Sequence, residues 1–528
     1  MKRLNLIISA LLATTSAVFS QGQLDAYKYG QTDLIGTARY MGMGGAFGAL
    51  GGDISSMSTN PAGLAVYRSS EVVATLNLNA VNTKTDLAGS IGKADRTRFD
   101  FSNIAFEGYF PTSRDAGVIG WNLGFSYNRL KDYHRNYTLR GVGSTASYTD
   151  YLGNRATASG YDESQLDYYN DPYRYLNDWQ TVLGWNSGFI TAYNNDKRAY
   201  YSSFGANNAA GDWYPIDITG RELTVQESGA IDQYNMAFGL NISDFILLGA
   251  DIALTDIDYH YYAFYAEDFV NKDWMTLRND LGTSGSGYAF NVGAIIWPVN
   301  FLRVGVAYNS HTWYNLTDNF SATGESHSTW VEEELNAHAP NTDGLGFADY
   351  KYRTPDKWLF SAAAIIGQTA LIGVDYELTN YGNMKMYDDR GYGLDVTNNE
   401  IKSNFGSVGT LRVGGELKVT PQFAIRAGAA WIGNPVREVL KKGEFEVRTV
   451  GTIPHYTIEN SITNYSVGLG YRFTPSFYMD LACVLKTQKE DLYAFPNFYE
   501  GGKQIVEAPK ASLKSNATNV ALTFGYKF

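Results

Sequence analysis

Few residues of this chain are spaced as catalytic or metal-binding groups would be. Asp256, Asp258 and His260 occupy every second position, so on a strand they would share one face and could supply the acid, base and orienting groups of a hydrolase. The single cysteine, Cys483, excludes an intramolecular disulfide framework and a cysteine-based zinc site. We therefore predict neither a metal nor another cofactor, and catalysis remains a minor alternative.

A larger set of ionisable residues alternates with apolar residues. Because successive side chains of a strand point to opposite faces, these residues would lie on the face opposite the apolar one. They are Glu107, Asp251, Arg303, Asp375, Glu377, Arg412, Glu416 and Arg426, together with Arg472 and Asp480. Charges of both signs indicate ion pairs across a polar interior. For each of these residues, we expect an ion pair within the barrel wall in preference to contact with a transported molecule.

These residues lie on predicted strands, which are joined by short turns and by long polar connections. Alternating segments occur in pairs across short turns, at residues 111–117, 241–244, 298–300, 367–369, 420–422 and 474–476. Much longer polar segments separate the pairs. Transmembrane barrels sort their connections in this way, with tight turns on one side and long loops on the other. Six short and seven long connections predict an all-β fold of about 14 antiparallel strands.

The last ten residues give the clearest strand. Val520, Leu522, Phe524, Tyr526 and Phe528 alternate with small or polar residues. In a barrel the first set would meet lipid and the second would face a polar lumen. A terminal aromatic residue is also what barrel-assembly machinery typically reads, so we expect that machinery as a partner during biogenesis.

Composition supports an exported membrane barrel. Aromatic residues make up 15% of the chain, with 40 Tyr, and there are 54 Gly. Residues 1–20 have a basic start, an apolar stretch and small residues near the end, which predicts a signal peptide. After it, no apolar run is long enough for a transmembrane helix. The formal net charge of −12 makes nucleic acid an unsuitable partner.

Residues 21–70 do not alternate, and they are rich in Gly, Ser and Ala. A segment this short cannot form its own core, so it needs another surface, and the barrel interior is the one available. We predict a hatch or plug here and a barrel over residues 71–528. The longest outer loop is expected at residues 131–230, where Tyr, Asn and Asp are abundant.

Within the predicted plug, residues 38–47 read ARYMGMGGAF, Asp53 follows, and residues 60–64 read NPAGL. This ordered series resembles the FadL family of outer-membrane transporters for long-chain fatty acids and other hydrophobic compounds. Supporting similarity lies at residues 303–308, 373–377 and 411–416 and in the last strand. A dinucleotide-binding motif does not fit, because Phe47 stands where a third glycine is required.

The resemblance implies a diffusion channel for fatty-acid-like ligands. Outer loops would capture the ligand, a lumen pocket closed by the hatch would hold it, and a gap at the third strand would release it sideways. The implied hatch residues are Gly42, Gly44, Gly45, Phe47, Asn60, Pro61 and Ala62. Gly124 and Ser126 are the small lumen-facing residues of the third strand. We hypothesise that ligand displaces residues 41–47.

Other interpretations stay open. His327 and His338 lie in one long connection and could bind haem, although no defined spacing supports this. A surface adhesin would use the Tyr- and Asn-rich loops and need no plug. For the transporter we expect a monomer in the outer membrane, surrounded by lipid and lipopolysaccharide.

Overall fold

The computed structural model describes residues 22–167, 170, 172–176, 178–193, 196–207, 213–329, 331–339, 346–367 and 369–528. The predicted signal peptide therefore lies outside the described residues. In this part of the chain, fourteen antiparallel strands close into a barrel. The predicted fold class and strand number are confirmed.

The barrel strands follow one another along the chain. They are β1 (Glu71–Leu87), β2 (Ser90–Pro111), β3 (Val118–Asp132 with Arg135–Arg140), β4 (Ile218–Ile242), β5 (Ile246–Phe269), β6 (Trp274–Val299), β7 (Leu302–Asn309 with Trp313–Ser328), β8 (Phe347–Arg353 with Lys357–Ile366), β9 (Ala370–Asn380 with Lys385–Asp388), β10 (Ser407–Lys418), β11 (Phe423–Ile432), β12 (Tyr456–Arg472), β13 (Phe477–Tyr493) and β14 (Lys510–Lys527). All six predicted short turns join consecutive strands.

The last strand closes the barrel by pairing with the first. Glu71 lies opposite Lys527 at one end of this ladder, and Asp86 lies opposite Ser512 at the other. Phe524, Tyr526 and Phe528 are exposed, whereas Ala521 and Thr523 are buried. The predicted assignment of the two faces is therefore correct, because the apolar set points outward.

The strands are longer than a bilayer needs. About ten residues of a tilted strand cross a membrane, whereas β5 has 24 residues and β6 has 26. Along the outer face of β5, exposed Leu254 is followed by exposed Asp256, Asp258 and His260. The barrel wall thus continues beyond the lipid on the side of the long connections.

This extension corrects two expectations about loops. The predicted long connection between β1 and β2 is a two-residue turn, Ala88 and Gly89, both with positive φ. The predicted longest loop, residues 131–230, shrinks to about residues 141–217 because β3 and β4 continue into it. Alternation of apolar and polar residues marks only the part of a strand that crosses the lipid, because strands that pair in water do not require an apolar outer face.

The connections carry short elements of their own. Those after β3 hold helices Tyr148–Ser159, Glu163–Leu166, Pro172–Tyr175 and Trp179–Asn186 and strands Ile190–Tyr193, Asp196–Ser202, Gly205–Asn207 and Trp213–Pro215. Later connections hold strand Val331–Ala339, helices Asp395–Asn404 and Glu438–Lys442, and strands Phe498–Glu500 and Lys503–Val506. Ser147 caps the first helix by accepting from the Thr149 N–H. Aromatic residues such as Tyr148, Tyr265 and Phe495 fill the barrel extension.

The N-terminal segment, residues 22–70, is called the plug below. It contains helices Gln23–Tyr29 and Ala38–Gly42 and the 3₁₀ turns Ile54–Ser58 and Pro61–Val66. Its side chains and those of the inner wall form shared buried clusters. Among the described residues, no helix has the length and apolar character needed to cross a membrane.

Candidate functional site

The plug is held in shape by three capping side chains. The Thr37 hydroxyl accepts from the Tyr40 N–H and donates to the carboxylate of Asp53, which caps the first 3₁₀ turn. Asn60 caps the second turn by accepting from the Ala62 N–H, and its amide donates to the Gly48 carbonyl at 2.6 Å. Burial raises the pKa of Asp53, although Arg39 opposes this effect. These contacts explain the spacing of the motif residues.

Glycines of the inner wall let the plug backbone touch the barrel. Nine strands each contribute one, and together we call them the glycine ring: Gly124, Gly239, Gly249, Gly293, Gly305, Gly373, Gly414, Gly428 and Gly468. A Cβ atom at any of them would press on plug atoms. At Gly428 it would lie 2.8 Å from the Cα of Gly44. The lower plug, residues 42–65, therefore contacts nine of the fourteen strands through this ring.

A chain of buried charges fastens the plug to the wall. Arg39 contacts Glu416 at 2.9 Å, and Glu416 contacts Arg426 at 2.7 Å. Arg426 in turn contacts Asp480 at 2.7 Å. Arg39 also donates to the Gly52 carbonyl, which ties two plug segments together. One plug cation thus completes a network that spans three strands.

The other predicted lumen charges also face inward. Asp375 accepts from the Gly48 N–H of the plug, and Arg303 donates to the plug carbonyl of Leu50. Glu377 pairs with Arg412 at 2.9 Å. The carboxylates of Asp251 and Glu107 are both hydrogen-bonded to asparagine side chains of neighbouring strands. Their observed contacts are with the wall and the plug.

Arg472 departs from the predicted interior set. It has the inward parity of β12, but it is the last residue of that strand and is exposed. Alternation assigns a face of the sheet, whereas depth within the barrel depends on where the strand ends.

The structure brings the predicted hatch residues together at the glycine ring. Gly42 and Gly44 press on the wall, with φ of +63° at Gly44 and +77° at Gly45. Phe47 is buried against Tyr40. Pro61 and Ala62 lie against Gly249, and Asn60 lies against Gly293. Residues 41–47 are thus among the most tightly seated parts of the plug.

The wall is continuous at the two residues predicted to mark a lateral opening. Gly124 pairs with Glu107 of β2 and Ala237 of β4, and Ser126 pairs with residues of the same two strands. Gly124 is one of the glycine ring and gives room to the plug residue Met57. Its small size is therefore used for plug packing.

A break in the ladder lies further toward the outer side. The pairing of β2 with β3 ends at Asn103 opposite Asn128, and β2 continues with β1 as its described partner. Just above, β3 has a bulge at Leu130. Side chains bridge the break, including an ion pair between Arg129 and Asp100. We call this break, between β2 and β3 above Asn103 and Asn128, the seam.

Two cavities lie inside the barrel above the glycine ring. The first, cavity 1, has a volume of about 180 Å³ and is lined by residues of β1, β3, β12, β13, β14 and the plug. Cavity 2, of about 140 Å³, lies on the side of β6 to β11. Plug residues Gln31, Asp33, Leu34 and Ile35 line both cavities. The plug segment 31–35 is therefore the partition between them.

Asp33 fastens this partition to the wall beside the seam. Its N–H donates to the Leu130 carbonyl, which the bulge releases from the ladder. Its carboxylate contacts Lys486 at 2.6 Å and Lys131 at 4.0 Å. Burial raises the pKa of Asp33, but the two lysines outweigh burial and hold the pKa at about 2. The carboxylate is therefore charged at neutral pH.

Sequence reasoning missed Asp33, Lys131, Lys486 and Glu459 as site residues. Lys486 has the same strand parity as Asp480, so extending the alternation of β13 by six residues would have identified it. Asp33 and Glu459 had no comparable signal, because their partners are distant in the sequence.

The residues of the alternative interpretations lie outside the cavities. Asp258 and His260 form a pair at 3.1 Å on the outer surface, each more than 60% exposed. His327 packs on Trp274, and the His338 ring is hydrogen-bonded to Thr323. None of these four polar residues lines cavity 1 or cavity 2. Within the described ranges, no cluster of three His, Cys, Asp or Glu is placed to hold a metal ion.

Comparisons with known proteins give one family. The profile of the outer membrane protein transport family (OMPP1/FadL/TodX) matches residues 269–528. No curated protein matches the chain. Similar solved structures include a Pseudomonas aeruginosa FadL homologue, with 13% identity, a TM-score of 0.51, and coverage of 94% of this chain and 100% of the other.

The Ralstonia pickettii toluene transporter TbuX is also similar, with 11% identity, a TM-score of 0.49 and coverage of 94% and 99%. At such identities, structural likeness shows the fold alone. It is the family match that extends the comparison beyond the fold.

Proposed function

We infer from the match over residues 269–528 that the chain belongs to the OMPP1/FadL/TodX family of outer membrane transport proteins, and on that premise we propose that it is a diffusion channel for hydrophobic small molecules. The family is one of transport proteins, so the hydrolase alternative is set aside. The observation that carries the proposal is the position of cavity 1, which is enclosed by the barrel, bounded by the plug and adjacent to the seam.

Transport of a greasy molecule needs such an enclosed route. Each CH₂ group moved from water to an apolar surface is worth about 0.8 kcal/mol, so a hydrophobic molecule resists release into water. The route we propose leads from the aromatic-rich outer loops into cavity 1 and leaves through the seam into the lipid. Phe99 and Phe101 of β2, beside the seam, are 63% and 51% exposed on the outer face. A ligand leaving there would pass between apolar surfaces.

The moving part in this proposal is the partition, residues 31–35. Residues 41–47 make backbone contacts with the glycine ring, so displacing them would expose many buried groups. The partition is held by contacts of Asp33 and Gln31 with β3, β12 and β13. A ligand that occupies cavity 1 and displaces the partition would join the two cavities beside the seam.

The cellular setting is part of the proposal. An exported chain, cleaved after residue 20, would be assembled by the barrel-assembly machinery and act as a monomer among lipid and lipopolysaccharide. The cargo expected from the resemblance is fatty-acid-like.

Filling cavity 1 tests the proposed function. Ala517 lines this cavity on β14, so Ala517→Trp would occupy the space needed by a ligand. We expect uptake of a hydrophobic fluorescent probe into cells to fall about tenfold, because a blocked cavity excludes the ligand. Initial uptake rates, normalised to folded protein in the outer membrane, give the measurement.

Ala116→Trp is the matched control, because Ala116 is exposed in the short turn between β2 and β3. It should leave uptake unchanged. Normal uptake through the Ala517→Trp variant would place the route outside cavity 1 and refute the proposal.

A further inference from the structure

The cationic side chains of cavity 1 are all engaged by carboxylates of the protein. Lys486 and Lys131 share Asp33, and Arg135 contacts Glu227 and Glu490. Lys28 lies 3.6 Å from Glu227, and Arg448 lies 3.5 Å from Glu400. A ligand carboxylate entering this cavity would have to displace an existing ion pair. The cavity thus lacks a ready cationic partner among its lining residues.

One buried carboxylate in the lining has no cationic partner. Glu459 is 5% exposed and accepts hydrogen bonds from the Tyr27 hydroxyl at 2.7 Å and the Gln31 amide at 2.8 Å. Among the described residues, no Lys, Arg or His nitrogen lies within 4.0 Å of its oxygens. The whole lining contains six carboxylates against five Lys and Arg side chains. The lining thus has one more carboxyl group than Lys and Arg side chains.

Hydrogen-bond acceptors in the lining are also left without donors. The Nδ1 of His455 lies 2.6 Å from the Ala494 carbonyl, which can only accept, so Nδ1 carries the proton and Nε2 is an acceptor. That Nε2 has no partner, and neither do the Oδ1 atoms of Asn79 and Asn519, which can only accept. The hydroxyls of Tyr261 and Ser515 are also without a partner, and they can donate or accept. Burial lowers the pKa of His455 to about 4, so the ring is neutral. All of these side chains belong to cavity 1.

The rest of the lining is aromatic and aliphatic, and the cavity is small. Tyr27, Tyr133, Tyr137, Tyr261 and Tyr456 contribute to it. Its volume of about 180 Å³ is close to that of a cavity of about 150 Å³ known to bind benzene. The space therefore suits a molecule with one ring better than an extended acyl chain.

We propose that cavity 1 binds a compact hydrophobic molecule whose polar group donates hydrogen bonds and carries no negative charge, such as an aromatic alcohol or amine, and that it discriminates against fatty-acid anions. This inference rests on the proposed function only in placing cavity 1 on the transport route. Discrimination arises because the cations of the lining are already paired, so an anion gains no free partner, and because the free acceptors in the lining reward a donor.

Three probes with the same carbon skeleton test the inference: phenylpropanol, phenylpropylamine and phenylpropanoate. Each is equilibrated with the full-length protein in lipid nanodiscs, and binding to empty nanodiscs is subtracted. We expect the alcohol and the amine to bind about tenfold more tightly than the carboxylate. Equal or tighter binding of the carboxylate would overturn the inference.

Glu459→Gln removes the carboxyl group that has no ion-pair partner and retains an acceptor for the Tyr27 hydroxyl. It should raise the affinity for phenylpropanoate severalfold relative to the alcohol. Glu163→Gln makes the same chemical change in an outer-loop helix where Glu163 pairs with Lys197, and it should change neither affinity. Unaltered discrimination in the Glu459→Gln variant would remove Glu459 from the explanation. If that variant failed to fold, the comparison of probes on the natural protein would still decide.

Measuring uptake of the probes by cells distinguishes failure of this inference from failure of the proposed function. If alcohol and carboxylate probes enter cells equally well and both need the protein, the channel stands and the selectivity does not. If the alcohol binds selectively but its uptake does not need the protein, the selective site stands and transport does not.

Discussion

Asn60 joins two parts of the plug through a single side-chain amide. Its buried oxygen caps the second 3₁₀ turn, and its nitrogen reaches the Gly48 carbonyl. Asn60→Ala would leave both backbone groups unsatisfied, so we expect the plug to lose about 1–3 kcal/mol of local stability. Hydrogen exchange of residues 36–66, followed by mass spectrometry, measures the loss.

The barrel itself should remain folded in this variant. Asn516→Ala, at an exposed position of β14, is the control and should leave plug exchange unchanged. Plug exchange at the natural rate in the Asn60→Ala variant would show that the two hydrogen bonds contribute little.

The ion pairs of Asp33 make the stability of the partition depend on pH. Its pKa is about 2 in the folded protein against 3.8 in an unfolded chain. A lowered pKa stabilises the folded state above pH 3.8, and this stability is lost as pH falls from about 4 to about 2. We expect the partition to loosen over that range, by about 2 kcal/mol in all. Hydrogen exchange of residues 24–35 at several pH values, corrected for intrinsic rates, provides the measurement.

Asp33→Asn serves as the comparison, since it cannot titrate. Its partition should be loose at pH 5 and show no further step on acidification. A natural protein whose partition behaves identically at pH 5 and pH 2 would contradict the role given to the lysine contacts.

Alternation in the sequence was enough to place the lumen charges on the inner face, because that face follows from strand geometry alone. It could not identify their partners. The contact between Arg39 and Glu416 joins residues on the plug and on β10, and the register between two such segments depends on the folded barrel. Asp33 and Glu459 were missed for the same reason.

At the scale of elements, the glycine ring determines how the plug sits. Gly428→Ala would place a Cβ atom against the backbone of Gly44, and neither backbone can move easily. We expect the lower plug to lose about 1–3 kcal/mol and to exchange its amides faster. Hydrogen exchange of residues 38–50 gives the measurement.

Gly415→Ala is the matched control in the neighbouring strand. Its Cβ would meet only the Leu371 carbonyl, at an ordinary 3.5 Å, so the change should be neutral for the plug. Equal behaviour of the two variants would mean that close contact at the ring does not fix the plug.

Turns were the reliable signal for strands. Pro, Asn or Ser at five of the six short turns, and Gly367 at the other, marked one end of each pair, because those residues favour turns and interrupt ladders. The opposite ends were misjudged wherever strands continue beyond the lipid. The seam was not predictable either, since loss of pairing between β2 and β3 leaves no mark in the alternation of either strand.

At the scale of the whole molecule, removal of the longest connection tests whether the barrel needs it. Arg140 of β3 pairs with Glu222 of β4, so an Asn-Gly turn in place of residues 142–220 could close the hairpin. We expect the shortened chain to form a barrel that resists unfolding in cold detergent, because the other pairings remain. Uptake of a hydrophobic probe should fall severalfold, since the loop supplies part of the capture surface.

Failure of the shortened chain to assemble would assign this loop to the folding core. Unchanged uptake through an assembled barrel would place ligand capture in the other connections.

The decisive step of the proposed transport is the exit of a hydrophobic ligand from cavity 1 sideways through the seam. Cysteines replacing Asp100 and Arg129, in a Cys483→Ala background, can be linked by a reversible bifunctional thiol reagent. A control pair, Thr487→Cys with Asn516→Cys, is linked across the continuous ladder of β13 and β14. The measurement is uptake of the hydrophobic probe before linkage, after linkage and after reduction. We predict that linking the seam lowers uptake about tenfold and that reduction restores it, while the control pair has no effect. Full uptake through a linked seam would contradict the account.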